Sequence, residues 1–316
     1  MAWSAADIPD QSGRIAVVTG ASGGLGLETA RELARKGAHV IMAARNQDKA
    51  ETALRAIKAR IPDASLEVRA LNLASLESIH RFAAELLQDQ NTIALLVNNA
   101  GVMGTSRSET ADGFELQFGT NHLGHFALTA LLMPALLRST AARVVTVTST
   151  GRHFRAPLEL GDLYLESNYD PWRAYGRSKM ANLQFAVELN RRLEVAGASA
   201  MSLVAHPGFS NTDLQAQSVH ASGGGASQRF FHVMVGRFGM APSDGVLPQL
   251  RAATDPTAKG GELYTPRWVN FGPPVRRPIS GLSKKPEALK NLWDISERET
   301  RVTFDISALA QQTRRR

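Results

Sequence analysis

A short apolar run over residues 15–19 passes directly into Thr19-Gly20-Ala21-Ser22-Gly23-Gly24-Leu25-Gly26, and a segment of helical period follows. Glycines at 20, 24 and 26 permit a tight turn in which the backbone approaches an anion closely. The helix that opens behind such a turn offers free N–H groups and the positive end of its dipole to a pyrophosphate. A glycine pattern alone is weak. Strand, glycines and helix in succession within the first βαβ unit are much stronger, and they dictate the start of an open, parallel α/β sheet.

The rest of the chain repeats that alternation. Apolar β-type runs fall at residues 15–19, 39–43, 66–70, 94–97, 143–148 and 201–205, with a shorter one at 262–264. Segments of helical period lie between them at 26–35, 47–60, 76–87, 122–137 and 174–193, where apolar residues such as Ala186, Leu189 and Leu193 recur three and four positions apart. Near-continuous apolar strands separated by helices predict an α/β fold: a single Rossmann-type, doubly wound parallel sheet with helices on both faces. The expected organisation is one dinucleotide-binding domain over 1–316, with its core at about 13–265 and an extension over 266–316. Within it, residues 208–240 join a Gly/Ser/Ala-rich stretch (221–226) to an aromatic run from Phe230 to Phe238, the composition of a C-terminal substrate lid. Residues 272–290 read as an irregular connector and 291–299 as a terminal helix.

Composition narrows the function classes. With 316 residues, 43% hydrophobic and 21% charged, the chain is long and apolar enough to bury a full core. It has no cysteine, which excludes a disulfide scaffold, a cysteine nucleophile, a thiolate zinc site and a Cys-ligated iron–sulfur cluster. Absence of cysteine also fits a reducing compartment, so the expected location is cytoplasmic. The N-terminus carries Asp7 and Asp10 and no apolar run, which reads as neither signal peptide nor membrane anchor. Thirty-six basic against 29 acidic residues give a net charge of +7. Part of that excess is the tail Arg314-Arg315-Arg316, and no basic stripe interleaved with aromatics accompanies it, so no nucleic-acid partner is expected.

The end of the second strand reads Ala43-Ala44-Arg45-Asn46. A site for NAD usually places an acid there to accept from the ribose 2′-hydroxyl. An arginine suits a 2′-phosphate instead, so NADP(H) is expected in preference to NAD(H). Gly23 stands where a second basic residue is often found. Further on, Asn98-Asn99-Ala100-Gly101 follows the fourth strand, and Tyr175-Gly176-Arg177-Ser178-Lys179 lies at the start of a long helix. Residues four apart share a helix face. An ammonium close to a phenol favours the phenolate, which would make Tyr175 a general acid/base with a lowered pKa.

Glycine turn, Asn-Asn-Ala-Gly segment and Tyr-x-x-x-Lys together make the chain resemble the short-chain dehydrogenase/reductase family over about residues 13–265. Gly119-Thr-Asn121-His-Leu-Gly-His-Phe, His206-Pro207-Gly208 and the long Ser149-to-Tyr175 spacing are most similar to its retinol-dehydrogenase-like branch. The resemblance implies roles. Ser149 would hydrogen-bond the substrate carbonyl, with Thr148 and Thr150 as rival hydroxyls, and Tyr175 would deliver the proton. Lys179 would hold the nicotinamide ribose and tune Tyr175, while Asn121 would position a relaying water. Gly20, Ser22, Gly24, Leu25, Gly26, Arg45, Asn72, Leu73, Asn98, Ala100 and Gly101 would bind the cofactor, with Pro207, Gly208 and Thr212 near its carboxamide. Asn72 departs from the family's usual Asp at the adenine. No counterpart of the membrane-anchoring segment of several vertebrate relatives is expected in this chain, which counts against retinol itself as the substrate. Protochlorophyllide reductases look similar too, but their reactive cysteine has no counterpart here.

His122, His125 and His153 read as packing or substrate-pocket residues, and no metal is expected. Phe230, Phe231, Val233, Met234, Val235 and Phe238, with Trp172 before the tyrosine, suggest an apolar substrate. The expected activity is interconversion of an apolar alcohol and its aldehyde or ketone. The alternatives are a non-catalytic dinucleotide sensor and a dehydratase or epimerase on the same scaffold. A homodimer, a homotetramer and a monomer all remain compatible with the sequence.

Overall fold

A computed structural model describes residues 2–153, 162–209, 240–279 and 281–314. Eight strands form one sheet: β1 (Ile15–Thr19), β2 (His39–Ala44), β3 (Leu66–Ala70), β4 (Leu95–Asn98), β5 (Arg143–Val147), β6 (Met201–Ala205), β7 (Leu263–Pro266) and β8 (Pro274–Arg277). Their order is β3-β2-β1-β4-β5-β6-β7-β8. The strands from β1 to β7 pair in parallel; Val18 of β1, for example, sits between Met42 of β2 and Val97 of β4.

Side chains alternate across the sheet and build two cores. Val17, Ile41, Leu96 and Val144 enter one core, with α3 (Leu76–Asp89), α5 (Gly124–Leu137) and α6 (Pro171–Val195). Ala16, Val18, Val40, Met42, Leu95 and Val97 face the other, with α1 (Gly24–Arg35), α2 (Gln47–Lys58) and, after the short α7 (Pro242–Gly245), α8 (Leu247–Thr254). Helices on both faces account for the near-continuous apolar strands. Helix α5 is apolar on all sides because it is enclosed on all sides, and Phe126, Ala127, Leu128, Leu132 and Met133 are fully buried. Side chains start the helices: Asn46 accepts from the Lys49 N–H at α2, Ser75 from Ser78 at α3, and Asp170 from Arg173 at α6.

Three departures from the sequence reading have physical causes. Residues 272–290 are not merely irregular, because they contain β8, which runs antiparallel to β7. The connection over 267–273 is too short for a crossover, so the chain can only turn back, with Val269 (φ 68°) and Gly272 (φ 93°) in the left-handed region. Ahead of α5, a short helix α4 (Leu116–Phe118) runs into one wide turn over Gly119–Leu123, where the Gly124 N–H bonds the Gly119 carbonyl. Such π-turns carry one extra residue and leave no trace in periodicity.

The third departure is the extension. It continues as α9 (Pro286–Thr300) and α10 (Ile306–Arg314), and it supplies core. Trp293 stacks on Phe304 at 4.9 Å, both meet Phe126 edge-on at 5.2 and 5.6 Å, and the Arg192 guanidinium covers the indole at 4.1 Å. The segments 154–161 and 210–239 lie outside the described residues. So do the aromatic run and Thr212. Phe304→Ala should lower the unfolding free energy by about 3–5 kcal/mol, measured as a shift of the urea midpoint. A change below about 1 kcal/mol would mean that α9 and α10 pack only peripherally.

Candidate active site

The strand order reverses between β1 and β4, which both leave the sheet at the same edge, and a crevice opens there. Gly20 (φ 69°) and Gly24 (φ 53°) turn the chain through conformations that favour glycine. Gly26 solves a different problem. A Cβ there would lie 2.3 Å from the Gly20 carbonyl oxygen and 2.7 Å from the Asn99 amide nitrogen. Only a bare Cα lets α1 start this close to the end of β1.

The resulting cleft has a volume of about 350 Å³. Gly20, Ser22, Gly24, Leu25 and Gly26 line it at the α1 N-terminus, and Arg45, Asn72, Leu73, Ala100 and Gly101 line it further along. It also takes in Asn46, Lys49, Asn99, Val102, Leu116 and Thr120, which the sequence reading did not single out. Lys49 lies in the first turn of α2 and Arg45 ahead of that helix, so helical spacing gave no sign that the two share a cleft. The two cations at the β2 end offset the glycine at position 23. Free helix N–H groups, a glycine cradle and two cations fit a dinucleotide.

Asn98 is placed differently from its neighbours. Its side chain is fully buried and donates to the Thr129 hydroxyl at 3.0 Å, pointing into α5. Asn99 takes the place beside the turn, donating to the Thr19 carbonyl at 2.8 Å. Two adjacent asparagines on alternating faces cannot be told apart by residue type. Pro207 and Gly208 lie at the end of β6 and do not line the cleft. Gly208 (φ 73°) instead packs on the turn after β7, where a Cβ would meet the Asn270 carbonyl at 2.4 Å.

Next to Gly101, the side chains of Ser149, Tyr175 and Lys179 come together. Tyr175 and Lys179 occupy one face of α6, with the ammonium 5.7 Å from the phenol ring centroid. Both are nearly enclosed, at 6% and 4% exposure. Ser149 hydrogen-bonds the Tyr175 side chain. Gly151 makes room for the ring, since a Cβ there would lie 2.8 Å from Tyr175 Cε1. The rival Thr148 is engaged elsewhere: its hydroxyl donates to the Lys179 carbonyl at 2.7 Å and anchors α6 to the sheet.

Asn121, in the π-turn, clamps three segments. Its Oδ1 accepts from the Val102 N–H at 2.7 Å, and its amide donates to the Val102 carbonyl and the Ser178 hydroxyl, each at 2.9 Å. Ser178 passes the link on to the Tyr175 carbonyl at 2.8 Å. A Cβ at Gly101 would stand 3.0 Å from Asn121 Oδ1 and 3.4 Å from Lys179 Nζ, so this glycine also keeps the passage open.

Electrostatics at this point reverse one expectation. Burial raises the Tyr175 pKa, opposed by the Ser149 hydrogen bond, rather than the neighbouring ammonium lowering it. Burial also lowers Lys179 to about 8. Desolvation thus sets the direction of both shifts. Of the three histidines, His122 and His125 are packed inside, whereas His153 is exposed. His122 bonds Ser296 of α9 at 2.8 Å, and burial lowers its pKa to about 3. Among the described residues, no three His, Asp or Glu side chains converge to hold a metal, and no helix is long and apolar enough to cross a membrane.

A folded-state Lys pKa below the unfolded value means the unfolded chain binds more protons between about pH 8 and 10.5. Stability should therefore rise with pH across that window. Below it, Lys179→Met should stabilise the ligand-free protein by up to about 3 kcal/mol, an advantage that fades towards pH 10.5 in parallel thermal melts. Parallel curves for the two proteins would refute the burial account.

Known proteins resemble this chain in sequence and in structure. The family model described as short chain dehydrogenase matches residues 14–223. Retinol dehydrogenase 14 of Mus musculus is 36% identical over 295 residues, covering 90% of this chain and 85% of the relative. Retinol dehydrogenase 11 of Mus musculus is 44% identical over 202 residues, covering 64% of this chain and 63% of the relative's length. A crystal structure of an uncharacterised protein from Mycobacterium paratuberculosis superposes with a TM-score of 0.79 at 40% identity, over 96% of this chain and 99% of the other.

Proposed function

The chain belongs to the short-chain dehydrogenase family, and from that premise we propose that it interconverts an apolar alcohol and its carbonyl compound with NADP(H). The observation that carries this reading is the meeting of Ser149, Tyr175 and Lys179 next to Gly101, a wall residue of the cleft that Arg45 and Lys49 also line. The dinucleotide, when bound, supplies or accepts the hydride. Gly20, Ser22, Gly24, Leu25 and Gly26 would hold its pyrophosphate, and Arg45 with Lys49 a 2′-phosphate.

The chain's own residues manage the proton. Burial keeps the Tyr175 phenol protonated, the state in which it can give a proton to a carbonyl oxygen. Ser149, a neutral donor beside it, would polarise that same oxygen. With a pKa of about 8, Lys179 carries its charge at neutral pH in roughly nine of ten molecules. That charge supports the phenolate left after transfer and suits ribose hydroxyls. Asn121 serves through its clamp on Val102 and Ser178, which uses both amide protons and leaves the side chain none for a relaying water.

Val102 and Leu116 add apolar surface to the cleft wall. The apolar substrate is further supported by the names of the relatives, since retinol is an apolar alcohol. The aromatic run that first suggested it, Phe230 to Phe238, lies outside the described residues.

In a fluorescence titration the protein should prefer NADPH over NADH. Arg45→Ala should weaken NADPH by about 10- to 100-fold, the worth of a charge-assisted hydrogen bond, and leave NADH nearly unchanged. Equal affinity for both cofactors would refute the Arg45 assignment. Tyr175→Phe should lower turnover of a long-chain aldehyde by at least about 100-fold while NADPH affinity holds. Retained turnover would refute Tyr175 as the proton donor. If only small polar ketones supported NADPH oxidation, the apolar substrate would be wrong.

A further inference from the structure

We infer that His125, as a neutral imidazole protonated on Nδ1, is a positioning residue that ties the cofactor turn to the segment carrying the catalytic residues. The inference rests on the assignment of Tyr175 and Asn121 made above. It goes beyond that assignment in naming the group that sets the distance between the two halves of the site.

Counting protons and lone pairs leads to it. Thr19 ends β1 and is fully buried. Its hydroxyl oxygen accepts from the Asn99 N–H at 2.9 Å and the Ala100 N–H at 3.0 Å. A hydroxyl has two acceptor positions and one proton, so these bonds use both acceptors. His125 Nε2 lies 2.9 Å from the same oxygen and must therefore receive the Thr19 proton. The other candidate acceptor, the Val97 carbonyl, is at 3.3 Å. An imidazole that accepts at Nε2 carries its proton on Nδ1, and Nδ1 lies 2.9 Å from the Asn121 backbone carbonyl, where a donor is required. Each atom in the chain thus has one consistent role. The ring is enclosed, at 1% exposure, and burial lowers its pKa to about 4, which holds it neutral.

The consequence is a continuous link. It runs from the Asn99 and Ala100 amides through Thr19 and His125 to the Asn121 backbone, then through the Asn121 side chain and Ser178 to the Tyr175 carbonyl. Asn121 lies in the π-turn, where the backbone departs from the helical ladder and needs a side chain to hold it. His125 reaches back one turn of α5 to do this, and it reaches across to β1 with its other nitrogen. Transfer chemistry depends on position to within a fraction of an ångström, so loosening this link should cost rate before it costs ground-state binding.

Two measurements test the inference. Long-range ¹H–¹⁵N spectra of ¹⁵N-histidine-labelled protein at neutral pH, assigned by the signals missing from His125→Phe or His125→Asn, should show a bare Nε2 and a protonated Nδ1. The opposite tautomer or a doubly protonated ring would overturn it. In kinetics, His125→Phe should lower kcat by about 10- to 100-fold with the aldehyde KM within about 3-fold. His125→Gln, whose side-chain oxygen can still accept from Thr19, should recover part of the loss. If His125→Phe fails to fold, His125→Asn keeps a donor for the Asn121 carbonyl without reaching Thr19 and serves in its place. Unchanged kcat, or a Gln variant no better than Phe, would overturn the inference. A Tyr175→Phe enzyme that retains turnover would instead defeat the underlying assignment and leave the spectra to decide the tautomer.

Discussion

At Gly26 any side chain would stand 2.3 Å from the Gly20 carbonyl oxygen, and the absence of one lets the first helix start against the end of the first strand. The rest of the site depends on that approach. It leaves the helix N-terminus facing the crevice between β1 and β4, and it brings Asn99 within 2.8 Å of the Thr19 carbonyl. The β1 and β4 loops are thereby joined into one rigid edge. A cradle for a dianionic group is then made of backbone, whose N–H groups need no side-chain entropy to hold in place.

Burial is the second constraint, and it acts in two directions at Tyr175 and Lys179. Enclosure makes both groups resist charge: the phenol keeps its proton more firmly and the ammonium less so. Near neutrality the phenol therefore keeps its proton, and the lysine still holds most of its charge. The polar groups around them are accounted for by neighbours from distant parts of the chain. Thr148 is committed to the α6 backbone, Ser178 to Tyr175 and Asn121 to Val102. Each of these bonds removes freedom from the reactive helix.

Much of the architecture was legible because its signals are local. Parallel strands enclosed on both sides must be apolar throughout, and β1, β3 and β6 fall where the apolar runs lie. Helix ends were less legible. The helix carrying Tyr175 begins at Pro171, three residues before its apolar period, because Asp170 caps it and Pro171 suits its first turn. The π-turn at Gly119–Leu123, the reversal into β8 and the contribution of Trp293 and Phe304 to the core were not legible. Each depends on what a segment packs against, which periodicity does not record.

Residue types and their spacing by themselves determined the kind of fold, the glycine turn, the pairing of Tyr175 with Lys179 and the basic end of β2. These follow from steric limits on single residues and from the fixed pitch of a helix. Only the tertiary structure decided which of two adjacent asparagines faces the crevice and which of three consecutive hydroxyls meets Tyr175. It alone also placed Lys49 on the same cleft as Arg45 and showed that burial raises the tyrosine's pKa. Those outcomes turn on distance and enclosure between segments far apart in sequence, quantities that exist only once the chain has folded.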